Sequence, residues 1–393
     1  MSTHPIRDIS NILMNSQTKS GGALRNVKSS YVGILLNRDW YRGIPTGKTR
    51  HEALLQYVRT ARIHGLTPCF IQLSDLKPGA SKVAAYVYMD WKFVRKLVPL
   101  PAVIHNRAIY KSSVSKAKLH NVAACGTIVY NACNRYSKGY IHKLLMKREE
   151  LRVHLPETEP ATAESVEQLM LRHPSLIIKP DNGSIGKGIM LISQGDDGNW
   201  KLRLRKNNKF QTVMQWEKEG RLPLLLINQI KEKKYLVQQR LPLATRSGRP
   251  FDIRVSVQRC RSGEWQVTGM IGKVAAARSF LTNVAQGGQV YPLERILEAY
   301  PQLNLDTVRQ DISRFSLLVA IHLSKHLPEL ADIGLDVGIT EHGFPMFIEC
   351  NGRDLRYSFL RGGMLEEWTR TYANPMGYAA YLLEQRREAA VDN

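Results

Sequence analysis

Acidic residues are scarce in this 393-residue chain. Asp plus Glu number 34 against 56 Lys plus Arg, a formal net charge of +22. A field of that sign disfavours cationic partners and attracts polyanions, nucleotides and nucleic acid among them. Cysteine is also sparse: Cys69, Cys125, Cys133, Cys260 and Cys350 are odd in number and never form a C-x-x-C pair. That excludes a disulfide framework and a cysteine zinc site, and mostly buried, inert thiols are expected. No apolar run reaches the roughly 18 residues that span a bilayer. Polar residues break up the stretch 8–30, so no signal-peptide core is present there. A cytoplasmic location is the expectation.

Chemistry-bearing patterns are missing too. No RRM, KH or zinc motif occurs, and the basic runs "KNNK" and "KEKK" read as solvated faces, so nucleic acid is not expected as the main partner. No Ser-His-Asp or Cys-His constellation stands out. The 11 histidines are dispersed, and His142 and His322 read as structural.

What remains is a soluble, globular composition, 43% hydrophobic and 23% charged, in a chain long enough for two or three domains. Residues 1–29 read as a basic, flexible tail. Over 30–138 short apolar runs such as "YVGILL" and "LTPCFIQL" alternate with helical patterns, which predicts an α/β domain. A small α+β lobe follows over 139–221. It includes a helix over 161–174 that Thr162 can cap and a basic strand pair over 199–216. A larger lobe spans 222–385, and 386–393 is read as a tail.

The stretch "IIKPDNGSIGKGIMLI" (177–192) has a glycine-rich, lysine-bearing turn between two apolar runs. Its order, G-x-x-G-x-G, is neither the dinucleotide fingerprint nor a Walker loop, and both of those open a helix. This loop returns to a strand, so it is the tip of a hairpin. Glycines let backbone N–H groups approach an anion closely, and Lys179 and Lys187 add charge. A flap over a polyphosphate is one reading; an ordinary hairpin turn is the other. Downstream, "GLDVG" and "FIECN" form a second hairpin. It sets Asp336 and Glu349 among apolar residues, with Asn351 on the strand face of Glu349. A carboxylate in an apolar strand needs a cation. Two carboxylates and an amide oxygen suit Mg2+, and salt-bridged carboxylates are the alternative.

Lys143, Lys179 with its loop, "YLVQQRL", "FDIRV" and the Asp336/Glu349/Asn351 hairpin fall in the order of the ATP-grasp superfamily, over roughly residues 139–385. The segments "IHKLLM…LPET", "FDIRVSVQ", "LTNVAQGG" and "IECNGRD", with "VIHNR" upstream, most resemble its endospore-coat-associated YheC/YheD-like branch. The resemblance implies two α+β lobes clasping nucleotide, preceded by an α/β pre-ATP-grasp domain.

It further implies that Lys143 and Lys179 contact the α- and β-phosphates and that Gly183, Ser184, Ile185, Gly186, Lys187 and Gly188 form the mobile loop. Gln238, Gln239, Arg240 and Leu241 would be the hinge beside adenine. Asp336, Glu349 and Asn351 would hold magnesium, while Arg254, Lys273 and Asn283 would serve catalysis.

The activity implied is an ATP- and Mg2+-dependent ligase that activates a carboxylate as an acyl phosphate for attack by an amine or other nucleophile. A spore coat or envelope connection goes with the branch. A kinase on the same fold, or a spore-coat structural or binding protein, are the alternatives. The run "GRDLR" after Asn351 departs from the proline-containing run of amino-acid ligases, and the hinge lacks an acidic residue. Carboxylate and acceptor are left open, an acidic one being compatible with the charge.

Overall fold

In the computed structural model, residues 30–183, 186–206, 209–217, 220–276, 282, 284 and 287–391 are described. The basic tail 1–29, Ser184, Ile185 and Asn283 lie outside them.

"YVGILL" forms β1 (Ser30–Leu36), between β2 (Leu66–Gln72) and β5 (Val103–Asn106) and parallel to both. An unbroken apolar run suits such a doubly flanked position. β3 (Lys82–Met89) and β4 (Lys92–Pro99) add an antiparallel hairpin at one edge, and β6 (Ile128–Tyr130) closes the other. The order is β4-β3-β2-β1-β5-β6. Asp90 and Trp91, both at positive φ, form the tight turn of the hairpin.

The second sheet is antiparallel. It holds β7 (Thr158–Pro160), β8 (Ser175–Pro180), β9 (Met190–Gln194), β10 (Trp200–Lys206), β11 (Lys209–Trp216) and β12 (Tyr235–Gln239), in the order β11-β10-β9-β8-β12-β7. The helices Ala163–Arg172 and Leu224–Glu232 bury Val166, Leu169, Leu226 and Ile230 against it. A capping box, Thr162 with Ser165, starts the first of these helices. β12 belongs to this sheet although it follows the boundary expected near residue 222, because it pairs with β8 on one side and β7 on the other.

The third sheet contains β13 (Thr245–Arg246), β14 (Arg249–Arg259), β15 (Trp265–Val274), β16 (Gln289–Tyr291), β17 (Asp332–Ile339) and β18 (Pro345–Asn351). Its path is β16-β15-β14-β17-β18, with β13 beside β14. The helix Leu305–His326 covers it with Val308, Ile312, Phe315 and Val319.

Two features run against the sequence reading. The last helix, Leu365–Val391, continues through the segment read as a tail, and it inserts Tyr372, Met376, Ala379 and Leu383 into the core of the first domain beside Val32, Ile34 and Tyr57. The end of the chain therefore completes the core of its beginning. Of the cysteines, only Cys69 is fully buried; Cys125 and Cys133 are exposed, one at a helix end and one in a loop, and all five are free thiols.

Candidate functional site

The second and third sheets face each other across a cavity of about 530 Å³. That is within the range of small-molecule and cofactor sites.

One wall starts from the helix Lys138–Leu145, whose first turn Ser137 caps through its hydroxyl. Asp181 fixes the same turn: its carbonyl accepts from the Lys138 N–H and its carboxylate from the Gly139 N–H. Lys138 thereby reaches the cavity, where Nζ donates to Glu349 at 2.8 Å and to the Gly183 carbonyl at 3.2 Å. Lys143, five residues on, is exposed and lies outside the cavity lining, because Ile141, His142, Leu144 and Leu145 take the helix face that packs inward. The structure thus brings Lys138, not Lys143, to the site. His142 and His322 are held by the carbonyls of Pro156 and Leu144, as structural histidines are.

Lys179, on β8, is buried and donates to Gln238 Oε1 on β12 at 2.7 Å. Burial pushes its ammonium down to about 8, Glu349 opposing the shift and Lys138 adding to it. The segment between β8 and β9 is a hairpin tip as expected, with Gly186 and Gly188 in the left-handed region that glycine tolerates. Gly183, Gly186 and Lys187 line the cavity, with the Lys187 side chain exposed. Gln238, Gln239, Arg240 and Leu241 line it from β12 onward. The N–H groups of Gln239 and Arg240 already donate to the Glu157 and Ser175 carbonyls.

Cross-strand register builds the other wall. Asp252 on β14 faces Lys273 on β15, Arg254 faces Asp336 on β17, and Asp336 faces Glu349 on β18. Because alternate residues share a strand face, Asp252, Arg254 and Ser256 point the same way. Arg254 holds Asp336 through Nε (2.9 Å) and Nη2 (3.3 Å), and Asp354 through Nη1 (3.3 Å). Lys273 bridges Asp252 and Asp336, each at 2.8 Å. Ser256 donates to the other oxygen of Asp354 at 2.6 Å, and Thr282 donates to Asp252. Gly334 is required here: a Cβ would lie 2.5 Å from both Arg254 Nη1 and Asp354 Oδ1.

Burial raises the Asp252 and Asp354 carboxyls above their ordinary range despite Lys273 and Arg254. Burial would raise Asp336 too, but Arg254 and Lys273 hold it below. Lys273 is raised, since Asp252 and Asp336 outweigh its desolvation.

Three carboxylates thus meet two cations. Asp336 and Glu349 are register neighbours, and Asn351 lies 3.5 Å from Asp336. The hairpin does bring together the three residues expected to hold magnesium, and an excess of hard oxygen donors fits that ion, which keeps waters and needs few protein ligands. Among the described residues no three His, Cys, Asp or Glu side chains cluster as a metal cage. Arg254 and Lys273, expected as catalytic cations, are already engaged as counter-ions of Asp336. Asp252, Asp354 and Lys138 are the site residues that the sequence did not single out. For Asp252 the signal was its place two residues before Arg254.

A buried polar hub ties the first domain to this wall. Arg107, from "VIHNR", donates to Glu52 at 2.6 Å, to Asp332 at 3.2 Å and to the Asp354 carbonyl at 2.8 Å. Arg356 adds a bond to Asp332 at 2.7 Å and one to Tyr57 at 2.8 Å. All five of these side chains are buried.

A glycine-bearing hairpin and lysines on one antiparallel sheet, opposed across a cleft by carboxylate strands of another, define an ATP-grasp protein. The chain belongs to the YheC/D-like ATP-grasp family, whose model matches residues 126–382. It is 26% identical over 311 residues to the endospore coat-associated protein YheD of Bacillus subtilis (strain 168), covering 77% of this chain and 68% of that protein. To the endospore coat-associated protein YheC of the same organism it is 21% identical over 334 residues, covering 81% and 88%. Among solved structures, the ATP-grasp ligase PsnB complexed with a phosphomimetic variant of its minimal precursor, Mg and ADP matches with a TM-score of 0.50 at 14% identity, covering 89% of this chain and all of that one. That likeness is one of fold. Among the described residues no helix is long and apolar enough to cross a membrane.

Proposed function

We propose that the protein is an ATP- and Mg2+-dependent ligase that activates a carboxylate. The observation that carries this reading is a single cavity lined by Lys138 and Lys179 on one sheet and by Asp336, Glu349 and Asn351 on the other. Cations opposite hard oxygen donors suit a phosphate chain bridged to a metal.

On this reading the backbone and Lys187 of the flap cover the terminal phosphates, while Lys179 and Lys138 hold the inner ones. The base lies beside Gln239, Arg240 and Leu241, at the end of β12. Magnesium, held by Glu349, Asn351 and Asp336, supplies charge neutralisation on the phosphates. Arg254 and Lys273 act through Asp336: they keep it ionised and aimed. A substrate carboxylate oxygen attacks the γ-phosphorus, the bond to the β-bridging oxygen breaks, and ADP leaves. A nucleophile then attacks the acyl carbon, gives up its proton, and displaces inorganic phosphate. Low dielectric and fixed cations favour the charge spreading over the phosphoryl oxygens.

The names of the relatives supply the biological setting: a role at a spore coat is part of the reading, with an acidic acceptor compatible with the charge. Thermal shift with ATP with and without Mg2+, followed by ADP release in the presence of carboxylate and amine panels, tests it. Mg2+-dependent stabilisation together with acceptor-dependent ADP release is expected. Absence of any ATP effect would overturn it, and stabilisation without turnover would favour a binding protein.

A further inference from the structure

The cavity has a second cationic wall, on the side of the first domain, whose arginines Arg135 and Arg353 form no ion pair among the described residues. Ile109, Asn134, Arg135, Arg353, Leu355 and Tyr357 line it. Arg353 comes from "GRDLR", the run that departs from the amino-acid ligases. Its guanidinium lies over the Trp40 ring at 4.8 Å, and Nη1 donates to the Arg107 carbonyl at 3.1 Å and to Asn37 Oδ1 at 3.4 Å. Both acceptors are uncharged and both sit on Nη1. The opposite edge is unsatisfied: Nε is buried without a partner, and Nη2 has none among the described residues.

The neighbouring arginines behave differently. Arg107, Arg254 and Arg356 each hold a carboxylate at 3.3 Å or less. Glu52, an acid whose charge acts on Arg353, is turned inward onto Arg107. The wall is further charged by Arg135, which has no ion-pair partner among the described residues. Burial pushes the Arg353 guanidinium down to about 10, and the charge of Arg107 adds to the shift. A partly buried guanidinium that lines a cavity and holds no carboxylate is a donor that carboxylate and phosphate oxygens match. Arg353 is only two residues from Asn351, about 7 Å of extended chain, so a group held there is within reach of the phosphate side.

We infer that Arg353, braced by Trp40 and Asn37 and assisted by Arg135, binds an oxyanion, a carboxylate or phosphate, of the substrate that shares this cavity with nucleotide. The sharing with nucleotide rests on the ligase reading; the oxyanion site at Arg353 does not.

The test is calorimetric titration of the full chain, without nucleotide, at pH 7 and fixed ionic strength. The probes are tricarballylate and inorganic phosphate. Saturable binding of one probe is expected, and which one binds tells carboxylate from phosphate. Arg353→Gln should weaken it about tenfold or more, the loss expected for a charge-assisted pair. Arg62→Gln, an exposed charge control, should stay within about twofold of wild type. Ligand-free Arg353→Gln should melt no lower than wild type, because it removes a partly buried charge that has no ion-pair partner among the described residues. A structural role predicts a lower melting temperature. Equal binding to Arg353→Gln, no saturable binding of either probe, or an equal loss in Arg62→Gln would each overturn the proposal. Failure of the wild type to bind MgATP would instead sink the ligase reading and leave the Arg353 comparison standing.

Discussion

Arg254 and Asp336 face each other across β14 and β17 with two nitrogen–oxygen contacts, at 2.9 and 3.3 Å, and both side chains are buried. Lys273 shares the same carboxylate. Breaking a buried pair is costly because the partner's charge stays behind. Asp336→Asn keeps the shape and removes the charge, leaving two cations short of a counter-ion. A loss of about 3 kcal/mol in urea unfolding is expected. Mg2+-dependent ATP stabilisation should disappear with it. A variant that unfolds at the wild-type urea midpoint, or keeps its Mg2+ response, would show that Asp336 is not the centre of this wall.

Lys138 and Lys143 offer a direct contrast on one helix. Lys138 reaches Glu349 and the base of the flap, whereas Lys143 is exposed. Lys138→Ala should weaken ATP binding by tenfold or more, on the order of 1.5–3 kcal/mol for charge-assisted hydrogen bonds. Lys143→Ala should leave it unchanged. The reverse result, read by titration calorimetry, would restore the assignment that the sequence order suggested.

The uneven legibility of the site has physical causes. Lys179, the flap, and the Asp336/Glu349 hairpin were visible because each breaks a local pattern: glycines where a strand should be, carboxylates inside apolar runs. Sequence order does not separate Lys138 from Lys143, since both lie in "SKGYIHKLL", and only the Ser137 cap and the Asp181 contacts decide which faces the cavity. The engagement of Arg254 by Asp336 and Asp354 depends on register between strands far apart in sequence, which no local periodicity encodes. For the same reason no local pattern encodes the packing of Tyr372 and Met376 into the first domain. "VIHNR" and "GRDLR" were visible only as family-like words. Their common meaning, the hub of Arg107, Asp332 and Arg356, emerges when the two segments meet.

Lys179 makes a pH prediction. Its folded value, about 8, lies below the ordinary lysine value of 10.5. Between those values the unfolded chain binds the extra proton, so the depressed value makes stability rise with pH across that window. Below about pH 8 both states are protonated and the full penalty persists, up to about 3 kcal/mol from the shift. The ligand-free wild type should therefore gain stability relative to Lys179→Met as pH rises from 8 toward 10. ATP affinity should fall over the same interval as the cation is lost. Parallel pH profiles for the two proteins would contradict the buried, titrating lysine.

Arg107 carries the last prediction, which concerns how the first domain is fastened to the site. Burial alone would raise the Glu52 carboxyl, but Arg107 and Arg356 bring it down to about 2, and Asp332 is depressed further by Arg356, His105 and Arg107. Both acids are fully desolvated, so their charges are stable only beside the arginines. A depressed carboxylate contributes stability that is fully present above its unfolded value and is lost as pH falls through its folded one. For Glu52 that window runs from about 4.5 down to about 2. Arg107→Met strands Glu52 and removes one partner of Asp332. It should cost about 3–5 kcal/mol at neutral pH and lift the onset of acid unfolding toward pH 4.5 or above. It should also lower the Mg2+-dependent ATP response, because the Asp354 carbonyl loses its donor while the Asp354 carboxylate holds Arg254. Conversion of Glu52 to Gln in the same background should recover part of the stability, since it removes the stranded charge. No recovery in urea unfolding would mean that packing, not charge, holds this junction.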